Sequence, residues 1–109
     1  MMRGDVVVVA APGDFGKARP AVVVQTDALS EDHPSVIVCQ MSSVLLETTD
    51  FRVLIEPSDE NSLRVPSQVM VDKPVSVARA RVSQRIGRLT ASDLNRLDVA
   101  LAFVMGLAD

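Results

Sequence analysis

The sequence has few of the residues that build covalent, metal and aromatic sites. Its one cysteine, Cys39, excludes an internal disulfide and any cysteine-rich zinc site. Its one histidine, His33, lies in the loop-like segment SEDHP, which disfavours a histidine metal cluster and a Ser-His-Asp triad. With no Trp, no Tyr and three Phe, the chain lacks the aromatic platforms on which sequence-tolerant single-strand binders stack bases.

Long apolar runs and leader-like segments are also missing. No apolar run approaches the roughly 20 residues that a membrane span needs. The start MMRGD leads into a valine run with no small-residue cleavage site after it. The sequence therefore predicts a cytoplasmic protein without a membrane segment. Its 109 residues, 48% hydrophobic and 23% charged, predict one domain over residues 1–109.

Charge is distributed unevenly along the chain, although the net charge is only −3. Between Asp27 and Glu60 there are eight acidic residues against Arg52 alone. Between Arg64 and Arg96 there are seven basic residues against two acidic ones. The second stretch is either a local positive surface in an acidic protein or an ordinary solvated exterior.

Short apolar runs separated by turn residues indicate a β-rich protein. Strands are predicted over residues 5–10, 20–26, 35–41, 51–56 and 67–73. Pro74 is expected to interrupt the fifth strand, and one or two further short strands follow before residue 90. Because five to seven short strands cannot all leave their edges open, we expect closure into a small barrel.

The end of the chain has a different pattern. Thr90 is a favourable N-cap, and Asp93 three residues later suits the positive end of a helix dipole. Leucines and a valine then recur at helical spacing, at Leu94, Leu97, Leu101 and Val104. The pattern predicts one C-terminal helix over about residues 91–107, packed on the sheet.

Five segments together resemble the MazF/PemK family of type II toxin–antitoxin toxins. They are RGDVVVV at 3–9, ARPAVVVQTDA at 18–28, SVIVCQMSS at 35–43, LRVPSQVMVDKPVSV at 63–77 and IGRLT at 86–90. They cover nearly the whole chain, in order and at family spacing. The resemblance implies a small SH3-like (CcdB/PemK) barrel and a homodimer. It also implies metal-independent, sequence-specific cleavage of single-stranded RNA, chiefly mRNA. A cognate MazE-like antitoxin with an acidic C-terminal tail would neutralise the activity.

The resemblance also assigns roles to residues. Arg19 matches the catalytic arginine that precedes the proline of the second strand. Ser42 matches the catalytic hydroxyl residue that closes the third strand, and Asp72 matches a catalytic aspartate on a later strand. RNA carries its own nucleophile, the 2′-hydroxyl, so the enzyme must position it and stabilise charge on phosphorus. A guanidinium suits the charge-stabilising role, and the scheme needs no cofactor or metal. The residues predicted to contact RNA are Lys17, Ser43, Lys73, Arg79, Arg81 and Arg85.

The chain departs from the family pattern at two places. The loop PGDFGKAR lacks the Glu-Gln that commonly precedes the arginine, and Met70 stands where some members carry an arginine. One alternative is therefore a degenerate toxin that only binds antitoxin. A second is a CcdB-like gyrase poison, which the ending FVMGLAD, without tryptophan, disfavours.

Overall fold

The structure is a computed structural model that describes residues 1–10, 17–47 and 50–109. Most of the loop PGDFGKAR, which follows the first strand and lacks the Glu-Gln of the family pattern, lies outside the described residues. The elements in chain order are β1 (Asp5–Val9), β2 (Arg19–Val23), β3 (Ser35–Ser42), β4 (Arg52–Ile55), β5 (Ser67–Ala78), a short 3₁₀ turn (Arg79–Arg81), β6 (Val82–Arg88) and α1 (Ala91–Val104).

The six strands form one antiparallel sheet in the order β4-β5-β3-β2-β1-β6. Strand pairing leaves the sheet open and does not close it into a barrel, because the edge strands β4 and β6 do not pair with each other within the described residues. The segment after β4 crosses toward the other edge instead, where the amide of Arg88 donates to the carbonyl of Glu60 at 2.9 Å. The predicted fold class, mainly β with one C-terminal helix, is confirmed.

Strand β5 is longer than predicted, because it continues through Pro74 to Ala78. Pro74 pairs with Cys39, and the register between β3 and β5 shifts between Cys39 and Met41. A bulge is one of the few positions inside a sheet that tolerate a residue without an N–H donor. The proline therefore lies beside a change of register rather than at the end of the strand.

Apolar side chains fill both faces of the sheet. On the face that α1 covers, Val6, Val22 and Val69 pack with Leu97 of the helix. On the other face, Val7 and Val38 belong to a second cluster rich in valine. Both faces of β1 are therefore buried, which explains its run of four valines.

The helix begins as predicted and ends earlier. The Thr90 hydroxyl accepts from the amide of Asp93 at 3.1 Å, which satisfies one of the free donors of the first turn. The helix stops at Val104 rather than near residue 107, because Gly106 turns the chain with φ +74°. The amide of Leu107 then donates to the carbonyl of Ala102 at 2.8 Å, a Schellman cap. Within the described ranges, no helix is both long and apolar enough to cross a membrane.

Candidate active site

Arg19 and Ser42 meet at one end of the sheet. Arg19 is the first residue of β2 and Ser42 the last residue of β3, and these two strands are antiparallel neighbours. Ala21 pairs with Gln40, so continuing this register by two residues places Arg19 opposite Ser42. Side chains directly opposite each other on neighbouring strands lie close enough to interact. The structure therefore brings together two of the three predicted catalytic residues.

A pocket of about 450 Å³ opens at this end of the sheet. It lies between the start of β2, the end of β3 and the segment that precedes β5. Lys17, Arg19 and Arg64 line it, and none of the described lining residues is acidic. In a chain of net charge −3, this is a local concentration of positive charge, which favours an anionic ligand. The pocket includes four of the nine predicted site residues: Lys17, Arg19, Ser42 and Ser43.

The Ser42 hydroxyl has a defined local environment. Its oxygen accepts from the amide of Val44 at 3.1 Å, and the carbonyl of Val44 lies 3.4 Å away as a weak acceptor. A hydroxyl that accepts a hydrogen bond becomes a stronger donor to a second partner. Ser42 is therefore suited to donate to an anionic oxygen bound in the pocket.

Arg64 is a residue that the sequence analysis did not assign to the site. It is exposed and has no hydrogen bond or ion pair within the described part of the chain. The loop that carries it is fixed by the buried Asn61, only 2% exposed. The Asn61 carboxamide accepts from the amides of Ser58 (3.0 Å) and Leu63 (2.9 Å) and donates to the carbonyl of Glu56 (2.9 Å). Nothing local in the sequence indicates that this loop folds against the end of β3.

Asp72 and Lys73 lie outside the pocket. Their side chains pair with each other at 2.9 Å on the surface of β5. Asp72 is four residues beyond Gln68, the partner of Ser42, and so about 13 Å further along the strand. Its charge is felt instead by Cys39, whose pKa it helps to raise.

The three later arginines predicted to contact RNA also lie away from this pocket. Arg79 and Arg81 donate to backbone carbonyls, at 2.9 and 3.2 Å, and Arg85 pairs with the buried Asp5 at 3.1 Å. Among the residues that the structure describes, no three His, Cys, Asp or Glu side chains are grouped so that they could hold a metal ion.

Comparison with known proteins agrees with this arrangement of strands. Residues 2–105 match the model of the PemK-like, MazF-like toxins of type II toxin–antitoxin systems, and the chain belongs to that family. A curated relative from Mycolicibacterium smegmatis, named probable endoribonuclease MazF, is 35% identical over 99% of each chain.

Solved structures with the same fold include two mycobacterial proteins. The Mycobacterium tuberculosis toxin MazF-mt6 superposes with a TM-score of 0.82 at 19% identity, over 96% of this chain and 99% of that one. A mycobacterial endoribonuclease in complex with its cognate antitoxin superposes with a TM-score of 0.84 at 20% identity, over 100% and 98% of the two chains. At this level of identity, the two superpositions establish the fold.

Proposed function

We propose that this pocket cleaves single-stranded RNA, chiefly mRNA, at a specific sequence and without a metal ion. The chain is a MazF-like endoribonuclease toxin of a toxin–antitoxin system. The observation that carries the assignment of the site is that Arg19 and Ser42, opposite each other when the β2–β3 register is continued, line one pocket with no acidic residue in its described lining. Cytoplasmic RNA is the substrate, and the toxin acts in the cytoplasm.

The chemistry follows from the substrate. The ribose 2′-hydroxyl loses its proton and its oxygen attacks the adjacent phosphorus, the bond to the 5′-oxygen breaks, and the 5′-oxygen takes up a proton. A 2′,3′-cyclic phosphate and a 5′-hydroxyl remain. Negative charge accumulates on the non-bridging oxygens during attack, and Arg19 stabilises it with fixed donors. Ser42 donates to one of the same oxygens. This scheme assigns no proton transfer to Asp72, because its carboxylate pairs with Lys73 outside the pocket, and its catalytic role stays a prediction.

Other pocket residues bind the RNA backbone in this proposal. Lys17 and Arg64 neutralise neighbouring phosphates, and the Ser43 hydroxyl adds a neutral donor. Apolar side chains at the rim, among them Val44 at 71% exposure and Val65 at 50%, offer surface to the bases. Without aromatic platforms, base recognition depends on shape and on backbone hydrogen bonds.

The toxin is inhibited by an antitoxin and acts as a homodimer in this proposal. An acidic, disordered tail is attracted to the cations that bind RNA and competes for the same pocket. Apolar residues exposed on α1 and just after it, including Val99, Phe103 and Met105, provide surface that a second copy would cover.

Replacing Arg19 by alanine tests the site. We expect Arg19→Ala to lower cleavage of single-stranded RNA at least about 100-fold, because a charge-assisted contact to the reacting phosphate is lost. The assay is gel analysis of a mixed-sequence RNA in the presence of EDTA, with end-group analysis of the products. Arg88→Ala, which removes an exposed arginine outside the pocket, is the matched control and should keep the wild-type rate.

Two results would contradict this proposal. A folded Arg19→Ala protein that cleaves at the wild-type rate removes Arg19 from the reaction. Cleavage that stops in EDTA and returns with Mg²⁺ contradicts the metal-free mechanism.

A further inference from the structure

Gln68 is a buried polar residue next to the pocket that the proposed chemistry does not use. It lies on β5 directly opposite Ser42, at the last pair of the β3–β5 ladder, and is only 7% exposed. A buried carboxamide is costly unless its hydrogen bonds are made. Its partners therefore show what the side chain holds in place.

Both ends of the Gln68 carboxamide bond to one backbone residue. Its Oε1 accepts from the amide of Leu46 at 2.9 Å, and its Nε2 donates to the carbonyl of Leu46 at 2.9 Å. This is the pair of bonds that a neighbouring strand would make, provided here by a side chain after the ladder has ended at Ser42. Gln68 thus continues the pairing four residues beyond the end of β3.

Arg52 of the edge strand β4 reinforces the same segment. Its Nη1 donates to the Gln68 Oε1 at 3.3 Å and to the carbonyl of Val44 at 3.5 Å. Its buried Nε has no partner within the described ranges, which adds a desolvation cost. The bonds it does make are directed at Gln68 and at the chain between Ser42 and Leu46.

This segment includes the amide that fixes the Ser42 hydroxyl. Val44, whose N–H donates to the Ser42 Oγ at 3.1 Å, lies between Ser42 at the end of β3 and Leu46 on the Gln68 carboxamide. Val44 and Leu46 are otherwise exposed, and residues 43–47 belong to no strand or helix. Without Gln68, within the described part of the chain only the 3.5 Å bond from Arg52 to the carbonyl of Val44 would hold the segment that directs the Ser42 hydroxyl.

We propose that Gln68 is a positioning residue that holds the Ser42 hydroxyl ready to donate to the scissile phosphate, by fixing the backbone from Val44 to Leu46. The inference rests on the proposed function of Ser42. It assigns to Gln68 no contact with RNA. Losing the hydrogen bonds from Gln68 to Leu46 should therefore slow the chemical step and leave RNA binding largely intact.

The first test is kinetic. Gln68→Met keeps the length of the side chain and removes both bonds to Leu46. We expect kcat to fall about 10- to 100-fold, because small displacements of a reacting group cost rates of this order. KM should stay within about twofold, as for a contact made only in the transition state. The substrate is an RNA chosen from the wild-type cleavage pattern, and Gln84→Met, at an exposed glutamine on β6, is the control.

A double-mutant cycle separates positioning from general destabilisation. If Gln68 acts through Ser42, then Gln68→Met should cause no more than about a twofold further loss in a Ser42→Ala background. Should Gln68→Met fail to fold, Gln68→Glu serves in the same cycle. It keeps an acceptor for the Leu46 amide and for Arg52, so we expect a smaller loss of kcat and the same non-additivity.

The outcomes distinguish the two proposals. Wild-type kcat in folded Gln68→Met, or full additivity with Ser42→Ala, overturns the positioning role while leaving the assignment of Ser42 intact. A Ser42→Ala protein that cleaves at the wild-type rate overturns the catalytic role of Ser42, and the role of Gln68 with it.

Discussion

At the residue scale, burial sets the chemistry of the one thiol in the chain. Cys39 is fully buried in the core cluster on the helix side of the sheet. Burial raises the pKa of its thiol from 9.0 to about 11, the charge of Asp72 adds to the rise, and Arg3 opposes it. The thiol is therefore protonated, and chemically quiet, throughout the physiological range of pH.

This pKa predicts how stability changes in alkali. In the unfolded chain, the thiol loses its proton near pH 9, whereas the folded protein holds it until about pH 11. The free energy of unfolding should therefore fall as pH rises through this window, by at most about 3 kcal/mol for two pKa units. Urea unfolding at pH 8 to 11 measures the slope. Cys39→Ala should flatten it, and an unchanged slope in that variant would contradict the pKa.

At the element scale, the loop between β4 and β5 depends on close contact with β6. A Cβ added at Gly87 would overlap the carbonyl of Glu60 and lie 2.8 Å from the carbonyl oxygen of Asn61. The backbone of the loop thus packs directly on the backbone of β6. The hydrogen bond from the Arg88 amide to the carbonyl of Glu60 fixes the distance between them. This contact is what carries Arg64 to the pocket.

Two glycine substitutions separate steric contact from backbone strain. Gly87→Ala should lower the free energy of unfolding by about 2–3 kcal/mol, because backbone atoms must move. At Gly106 the backbone φ is +74°, and no atom lies within 4 Å of an added Cβ. Gly106→Ala should therefore cost only about 1 kcal/mol of backbone strain. Denaturant unfolding gives both values. Equal losses in the two variants would argue against tight packing of the loop on β6.

The elements with strong local patterns could be predicted from the sequence. The Thr90 cap precedes the helix as expected, and the family motifs assigned Arg19 and Ser42 to one site, where the structure places them as neighbours. The path of β5 through Pro74 could not be predicted, since it depends on a bulge opposite β3. The placement of Arg64 and the bonds of Gln68 depend on which segments meet in space, and no local pattern encodes that.

At the scale of the whole molecule, the pocket around Arg19 is separated from the grooves that acidic residues line. The acidic residues line other grooves, such as Asp27 and Glu31 near the N-terminus and Glu47 and Asp50 beside β4. Among the described residues that line the proposed active-site pocket, every charged one is a cation. Within its described part, an acidic molecule of net charge −3 thus offers a cationic pocket to a polyanion or an acidic peptide.

This separation predicts competition between RNA and antitoxin. An acidic antitoxin tail peptide should displace an uncleavable RNA analogue from the toxin, and both affinities should weaken as salt rises. Fluorescence anisotropy titrations measure the exchange. Simultaneous binding without mutual loss of affinity would refute a shared pocket.

Light scattering should give the toxin twice its chain mass of 11.7 kDa. A mass of one chain would refute the homodimer.

The strand order also has a consequence for the timing of synthesis. β1 is made before the other strands and pairs with β6, the last of them. Asp5 pairs with Arg88, so the sheet is complete only after Arg88 has been made. The pocket wall includes Ile86, in a chain of 109 residues, and contacts of such long sequence separation form late. A nascent toxin on the ribosome therefore has no finished pocket until β6 has been made. A toxin that cleaves RNA becomes competent only after that point in its own synthesis.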